Sequence, residues 1–371
     1  MNARTPLLAL LSLVLIALVL LGCNGFFTPS SPGPTGVVTK FAFVANNNGG
    51  GAGSISAYTV NKNTGALTAV AGSPFAAGTD TNTVSADGNG TFVFASTSAA
   101  AANLQGFAIN RTTGVLTASS GSPLTVGTAP TAVAVDPSLR FVYVADGGGN
   151  IFSFTVNSST GALTATTPPS IAAGGTPTNV YVDPSGRFVY VSLFPGLVSV
   201  FSINSSTGVL TAVSGSSLTG CTSVSAIVVD PTVHFAYAAD GLNSVCQFTI
   251  NTATGVLTAI TPASVVAGNT TIAVTTDPTG HFVYAVGEAS NNVSAYTIGS
   301  GGALTAVAGS PFPTGVHPTA VSTEPSGLFL YVTNGTDNTV SIFTITSATG
   351  ALGTPTTAPT GTDPVSIVTT K

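Results

Sequence analysis

Charged side chains are scarce in this 371-residue sequence. Asp, Glu, Lys and Arg together make up 5% of it, whereas they make up about 25% of a typical soluble protein. Only seven residues are Lys or Arg, and the formal net charge is −5. Because a nucleic-acid site needs many cationic side chains to neutralise phosphates, these values exclude nucleic acid as a partner. Solubility must depend on hydroxyl groups and exposed backbone instead.

Cysteine is rare and the common catalytic motifs are missing. The chain has three cysteines, Cys23, Cys221 and Cys246, and none is spaced as a CxxC metal pair. It contains no H-E-x-x-H and no G-x-S-x-G. These absences exclude zinc-finger-type metal sites, zincin metalloproteases and the nucleophile elbow of α/β-hydrolases.

The N-terminus reads MNARTPLLALLSLVLIALVLLGCNG. Arg4 precedes an uncharged apolar run, an order typical of an export signal. The stretch LLGC resembles the lipobox of bacterial lipoproteins, which implies cleavage before Cys23 and lipid on that residue. The alternative is an uncleaved transmembrane anchor, since the run of 15 apolar residues approaches the length that a bilayer needs. We predict a signal peptide at 1–22, a lipidated flexible linker at 23–37, and a membrane-anchored extracytoplasmic body at 38–371.

The body repeats one phrase, N-x-x-TG-[AV]-LTA or a close variant. The glycines of this phrase recur every 47 to 49 residues. They are Gly65, Gly114, Gly161, Gly208, Gly255, Gly302 and Gly350. A fixed period of this length predicts stacked supersecondary units.

Each period has room for four short strands separated by turns. A segment of small residues such as PTAVAV is followed by a DP turn, two aromatic strands and the TG phrase. Asp-Pro and Thr-Gly pairs favour turns, and small residues suit strands that converge on an axis. The sequence therefore predicts an all-β, seven-bladed propeller of four-stranded antiparallel blades. The body begins at a second strand (41–46) and ends on a first strand (364–371), so we expect the C-terminal strand to close the ring.

Several segments of the repeat resemble a known family. Residues 331–334 read YVTN, and 183–191 and 277–285 read DPSGRFVYV and DPTGHFVYA. These segments resemble the YVTN-type propellers and the related lactonase family, which includes 6-phosphogluconolactonase-like enzymes. The resemblance covers 38–371 and implies a seven-bladed propeller. The absence of Trp separates the chain from WD40 repeats and from tryptophan-docked quinoprotein propellers.

Alignment of the repeats assigns each charged residue to one end of the propeller. Six carboxylates fall in turns between first and second strands, together with Arg140, Arg187, His234 and His281. We expect those basic groups to pair with neighbouring turn carboxylates. The opposite end, where the channel opens, receives the remaining acidic residues and one histidine: Asp80, Asp146, Asp240, Glu288, Asp337, Asp363 and His317.

One cluster at this acidic end suggests chemistry. Ring closure makes His317, Asp363 and Asp80 neighbours, with Glu288 and Asp337 on adjacent loops. These residues suit general acid/base catalysis by His317, Glu288, Asp363 and Asp80. Alternatively, Asp80, Asp363 and Asp337 suit a divalent cation such as Ca²⁺. The third interpretation is that Asp and His simply favour these turns.

Three functions follow from these interpretations, one of which is a purely structural surface protein. The first is a monomeric binding module whose acidic face takes a small molecule, a saccharide or an envelope protein. The second is a lactone hydrolase that uses His317 and the nearby carboxylates. The family resemblance implies Arg beside His and Glu at the channel, and no Arg of the repeats reaches that end. This difference disfavours phosphorylated sugar lactones.

Cys221 and Cys246 remain once Cys23 is assigned to lipid. Both fall near the acidic end of one blade, and export permits a disulfide between them. First and third strands are not adjacent, however, so the pair forms a bridge only if the longer loop around Cys221 folds over the blade. The sequence leaves both the disulfide and two free thiols open.

Overall fold

The computed structural model describes residues 40–215 and 221–371. The predicted signal peptide, Cys23 and the linker lie outside the described residues. The body contains seven antiparallel sheets of four main strands each, and two sheets carry one additional short strand. This confirms the predicted all-β seven-bladed propeller. Within the two described ranges, no helix is long and apolar enough to cross a membrane.

The first strand of each blade lines the central channel. These inner strands are β5 (Thr81–Ala86), β9 (Pro130–Val135), β13 (Thr176–Val182), β17 (Val224–Val229), β21 (Thr271–Thr276), β26 (Pro318–Thr323) and β30 (Pro364–Thr369). Each contacts the inner strands of both neighbouring blades, and β30 contacts β5. Side-chain donors join blade to blade, since Thr131 Oγ1 donates to the Pro177 carbonyl and Thr319 Oγ1 to the Pro364 carbonyl. The small inner residues let the strands approach closely enough for these bonds.

The second strands form the densest part of the core. They are β1 (Phe41–Asn46), β6 (Phe92–Thr97), β10 (Phe141–Asp146), β14 (Phe188–Phe194), β18 (Phe235–Asp240), β22 (Phe282–Gly287) and β27 (Phe329–Asn334). Nearly all their residues are buried, and Tyr143, Tyr190, Tyr237, Tyr284 and Tyr331 have no exposed surface. The aromatic pairs are therefore core residues between blades, as the repeat predicted.

The third and outer strands complete each blade. The third strands are β2 (Ala52–Val60), β7 (Leu104–Ile109), β11 (Asn150–Val156), β15 (Leu197–Ile203), β19 (Ser244–Ile250), β23 (Asn292–Ile298) and β28 (Thr339–Thr344). The outer strands are β3 (Leu67–Ala69), β8 (Leu116–Ala118), β12 (Leu163–Ala172), β16 (Leu210–Val213), β20 (Leu257–Val266), β24 (Leu304–Ala306) and β29 (Thr356–Pro359). Two short strands, β4 (Phe75–Thr79) and β25 (Phe312–Pro313), pair with β2 and β23.

The ring closes by pairing the two ends of the body. In blade 1 the strand order is β3-β2-β1-β30, with Phe43 opposite Val368. Blades 2 to 7 follow in chain order, each starting with its own inner strand. The Phe41 amide also donates to Thr370 Oγ1. Closure by the C-terminal strand is confirmed, and it removes the sheet edge that a separate first blade would expose.

The repeated Thr-Gly phrase fixes neighbouring blades to each other. Each of its glycines has a positive φ, for example +74° at Gly208 and +76° at Gly255. The carbonyl of Gly208 accepts a hydrogen bond from Tyr143 in the preceding blade, and the carbonyl of Gly255 accepts one from Tyr190. A Cβ at Gly255 would lie 2.6 Å from Cδ1 of Phe188. The position thus requires glycine for its backbone conformation and for its packing.

The turns between first and second strands use their carboxylates to hold backbone. Asp136 Oδ1 accepts hydrogen bonds from the amides of Arg140 and Phe141, and the other turn carboxylates are equally buried. The expectation that the rim's basic groups pair with these carboxylates is wrong for the two arginines, because the carboxylates are already occupied. The guanidinium groups of Arg140 and Arg187 instead lie 5.1 Å from the ring centres of Phe141 and Phe188.

The buried tyrosines predict how stability depends on alkaline pH. Burial, and then a nearby turn carboxylate, raises the pKa of Tyr143, Tyr190, Tyr237, Tyr284 and Tyr331, and burial raises the pKa of Tyr296 to about 12. The tyrosine hydroxyls of the unfolded chain ionise near pH 10. The stability that the buried neutral tyrosines contribute is therefore complete below about pH 10 and declines as pH rises further. We expect tyrosinate absorbance to develop together with loss of β-sheet circular dichroism. Gradual ionisation near pH 10 in a folded protein would contradict this.

Candidate functional site

The fold separates the charged side chains between two faces. We call the end that carries the loops between second and third strands, and between blades, the upper face, and the other end the lower face. All Lys and Arg of the described residues lie on the lower face: Lys40, Lys62, Arg111, Arg140, Arg187 and Lys371. The upper face carries the six predicted carboxylates and His317, so within the described residues it has no Lys or Arg to balance them.

A single backbone feature marks one side of the channel mouth. Asp80, Thr270, His317 and Asp363 each immediately precede an inner strand and have φ between 45° and 58°. They belong to four consecutive blades of the closed ring, which are blades 6, 7, 1 and 2. The equivalent residues of the other three blades do not have this conformation. The left-handed backbone costs energy for residues other than glycine, so this arc of the mouth is a candidate site.

His317 and Glu288 form the central pair of the arc. Nε2 of His317 lies 3.0 Å from Oε1 of Glu288, and their side chains are 49% and 26% exposed. The His317 amide donates to Oδ1 of Asn291 at 2.8 Å, and the His317 carbonyl accepts from the amide of Gly335 at 2.7 Å. Backbone and side chain of the histidine are both held, while its ring remains accessible to solvent.

Asp363 lies on the other side of the imidazole. A point one Cβ bond from Gly335 is 3.0 Å from Nδ1 of His317 and 3.1 Å from Oδ1 of Asp363. Nδ1 of His317 and Oδ1 of Asp363 therefore both lie close to Gly335. The Asp363 amide donates to Oδ1 of Asn338 at 2.7 Å, which repeats the contact between His317 and Asn291 one blade earlier. The structure thus brings together three of the four predicted catalytic residues.

Asp80 and Asp337 hold loops instead. Oδ1 of Asp80 accepts the Gly50 amide at 2.5 Å, and Oδ2 of Asp337 accepts the Val316 amide at 2.7 Å. Among the residues that the structure describes, no group of three His, Cys, Asp or Glu side chains is placed to hold a metal ion. The cation predicted at Asp80, Asp363 and Asp337 thus has no ligand group in the described chain.

The channel beneath the mouth contains a feature that the sequence reasoning missed. It encloses a cavity of about 440 Å³ lined by inner-strand residues of all seven blades. Most of these are Ala, Val, Ser and Thr, but blade 4 contributes Asn179 and Tyr181. Aligning all seven inner strands by repeat position shows both exceptions directly in the sequence.

The two remaining cysteines meet beside the mouth. Cys221 and Cys246 form a disulfide with their Cα atoms 6.1 Å apart. The bridge joins the loop that leads into blade 5 to the third strand of that blade. Both residues belong to a buried apolar cluster with Val224 and Phe248. This part of the rim is therefore covalently fixed.

Comparisons with known proteins agree with the architecture. A family model described as "Lactonase, 7-bladed beta-propeller" matches residues 96–370. A proposed 6-phosphogluconolactonase from Bacteroides fragilis has a similar structure (TM-score 0.73, 20% identity), covering 91% of this chain and 99% of that chain. A periplasmic gluconolactonase from Pseudomonas aeruginosa is also similar (TM-score 0.68, 15% identity), with coverage of 90% and 99%.

At these identities the likeness to the solved structures shows the fold alone. No curated protein matches the sequence. The family model spans most of the chain, including the loops that carry Glu288, His317 and Asp363. The chain therefore belongs to the lactonase family of seven-bladed β-propellers.

Proposed function

We propose that this protein hydrolyses a lactone, an internal ester, at the upper mouth of its channel. The observation that carries the proposal is the contact between His317 and Glu288, with Asp363 beside the free nitrogen of the histidine. A histidine held by a carboxylate is a suitable general base for activating water. The names of the similar structures, which include a gluconolactonase, support the same class of reaction.

The proposed reaction assigns each group one role. Glu288 accepts a hydrogen bond from Nε2–H of His317, which leaves Nδ1 unprotonated. Nδ1 removes a proton from water while the water oxygen bonds to the lactone carbonyl carbon, and Asp363 orients that water. The ring C–O bond then breaks, and the departing oxygen takes the proton from His317. The product is an open-chain hydroxy acid.

The proposed donors to the oxyanion are the side-chain amides of Asn291 and Asn338. Asn291 and Asn338 use their Oδ1 atoms to accept the amides of His317 and Asp363. Their Nδ2 groups therefore point away from those bonds and are available as donors. Neutral amide donors stabilise a developing oxyanion without a metal ion or arginine. Without such a donor, kcat should be lower by about 10²–10³.

The charge of the upper face favours an unphosphorylated substrate. Phosphate recognition normally uses Arg or Lys, and the described residues place all of these on the lower face. A phosphorylated lactone would instead meet Glu288, Asp337 and Asp363. Repulsion from these groups also assists release of the anionic hydroxy acid that the reaction forms.

The test compares D-glucono-1,5-lactone with its 6-phosphate in a pH-stat assay. The full chain is purified in detergent, because we also propose export and lipidation at Cys23. We expect turnover of the neutral lactone above the spontaneous rate, and kcat/KM for the phosphate at least about tenfold lower, since one uncompensated charge contact costs more than about 1.4 kcal/mol. A preference for the phosphate would contradict the charge argument, and turnover of neither lactone would contradict the proposed function.

A further inference from the structure

Blade 4 differs from every other blade along the channel. We count repeat positions from the first residue of each inner strand, and from Pro177 in blade 4. The third position is filled by Thr83, Ala132, Asn179, Ala226, Ala273, Ala320 and Ser366. The fifth position is filled by Ser85, Ala134, Tyr181, Val228, Thr275, Ser322 and Val368. In every blade except blade 4, both positions are occupied by small or β-branched residues. The repeat alone therefore does not account for Asn179 and Tyr181.

Asn179 places an unused amide in the channel. Its side chain is partly exposed and lines the central cavity, and it makes no hydrogen bond to any part of the chain that the structure describes. An amide offers two donors and an acceptor, so this side chain is able to hydrogen-bond to a ligand in the channel. The other polar residues of the upper channel are used differently, because Thr83 Oγ1 accepts the Val133 amide and Ser366 Oγ accepts the Val84 amide.

Tyr181 is fixed next to it. Its ring packs against the apolar cluster of blade 5 that contains Ile227 and Val229, and its hydroxyl lies 3.5 Å from the Val229 carbonyl. Burial raises the pKa of its hydroxyl, so the group is neutral at physiological pH. The ring therefore forms a rigid, uncharged wall below Asn179.

Ring geometry places this wall opposite the candidate base. Blade 4 is three blades from blade 7, which carries His317, and three blades from blade 1, which carries Asp363 beside β30. In a seven-membered ring these are the farthest positions. The cavity between them measures about 440 Å³, within the range of about 300–1,000 Å³ typical of small-molecule sites.

We propose that Asn179 and Tyr181 are the specificity-determining residues for a polyhydroxylated lactone, and this inference rests on the proposed function. The lactone carbonyl lies at the mouth beside His317, and the hydroxyl-bearing part of the substrate extends into the channel. There the Asn179 amide donates to one hydroxyl and accepts from its neighbour, while the Tyr181 ring covers the C–H face of the sugar. An alkyl lactone without hydroxyls has no partner for Asn179.

The test introduces residues that other blades already have at the equivalent positions. Asn179→Ala installs the residue found at this position in four other blades, and Tyr181→Val installs the residue found in two, so both variants should fold. Thr275→Val is the matched control, because it removes a hydroxyl from the same channel on blade 6. Kinetics with D-glucono-1,5-lactone and calorimetric binding of D-glucono-1,5-lactam, which resists opening, are measured for each.

We expect Asn179→Ala to raise KM and the lactam Kd about tenfold while kcat changes less than about threefold, because hydrogen bonds to a neutral ligand are lost away from the reacting bond. Hydrolysis of γ-butyrolactone, which has no hydroxyls, should be unchanged. Tyr181→Val should behave similarly, and Thr275→Val like the wild type. A folded Asn179→Ala variant with wild-type KM and Kd would overturn the recognition role.

The two proposals fail separately. An active wild type with an unaffected Asn179→Ala variant overturns the recognition role and leaves lactone hydrolysis supported. A wild type that binds the lactam through Asn179 but opens no lactone supports recognition and contradicts hydrolysis. A wild type that neither binds the lactam nor opens a lactone overturns both.

Discussion

Replacing His317 with Asn should reduce kcat for lactone opening by about 10²–10⁴, the range that loss of a general base produces. Asn is the appropriate substitution because His317 has a φ of 58°, and Asn adopts this left-handed conformation more readily than most residues. The fold should therefore be retained while the imidazole is lost. Initial rates in a pH-stat, with circular dichroism and thermal unfolding of the same samples, measure both properties.

His281→Asn provides the matched control for that experiment. His281 is exposed on the lower face, where its Nδ1 contacts the hydroxyl of Thr279 at 2.8 Å. The same chemical change at that end should leave kcat and KM unaltered. Equal losses in both variants would indicate a general effect on folding, and full activity of His317→Asn would eliminate His317 as the base.

Glu288→Gln should then cause a smaller loss than His317→Asn. Gln retains the size of Glu288 but not its charge, so it holds the ring of His317 less firmly in the tautomer that leaves Nδ1 free. The double variant should be no slower than His317→Asn alone, because Glu288 acts through the histidine. Additive losses would show that Glu288 has a separate role.

Gly255→Ala should cause a large loss of stability. We expect a loss of about 3 kcal/mol in the free energy of unfolding, combining a left-handed backbone with overpacking. The added Cβ would lie 2.6 Å from Phe188 Cδ1, and Phe188 is buried at the contact between blades. Chemical denaturation of wild type and variant gives this value directly.

Gly121→Ala separates the two causes. Gly121 has a φ of +75°, nearly that of Gly255, but no atom lies within 4 Å of the position that a Cβ would occupy there. The Gly121→Ala variant should therefore lose only about 1 kcal/mol in the free energy of unfolding, which is the cost of the backbone conformation alone. If both substitutions cost the same, contact with Phe188 contributes nothing, and the glycine of the Thr-Gly phrase recurs for its turn conformation only.

Repetition made most of the architecture readable from the sequence. The spacing of the Thr-Gly glycines predicted the number of blades, and the start at a second strand (41–46) with an end at a first strand (364–371) predicted ring closure. Both are properties of order along the chain, and a propeller preserves that order in space because each blade packs on the next. The same alignment placed all Lys and Arg of the described residues at the end opposite to the acidic mouth.

The contacts within the candidate site could not be predicted from the sequence, because they depend on distances between repeats. The sequence made His317, Asp363 and Asp80 equivalent, but only the tertiary structure placed Glu288 against His317 and occupied Asp80 with the Gly50 amide. It also joined Cys221 to Cys246, a pair that sequence reasoning left open. Loop conformations decide such contacts, and loops are where the repeats differ most.

The chain by itself thus determined a closed seven-bladed ring with an acidic upper face, because hydrophobic periodicity and turn residues act locally and recur in every blade. Tertiary structure alone decided which polar groups share a space: Asn179 and Tyr181 face a cavity opposite His317 and Asp363 although about 140 to 180 residues separate them in the chain. The physical reason is ring closure, which brings distant blades to opposite sides of one channel.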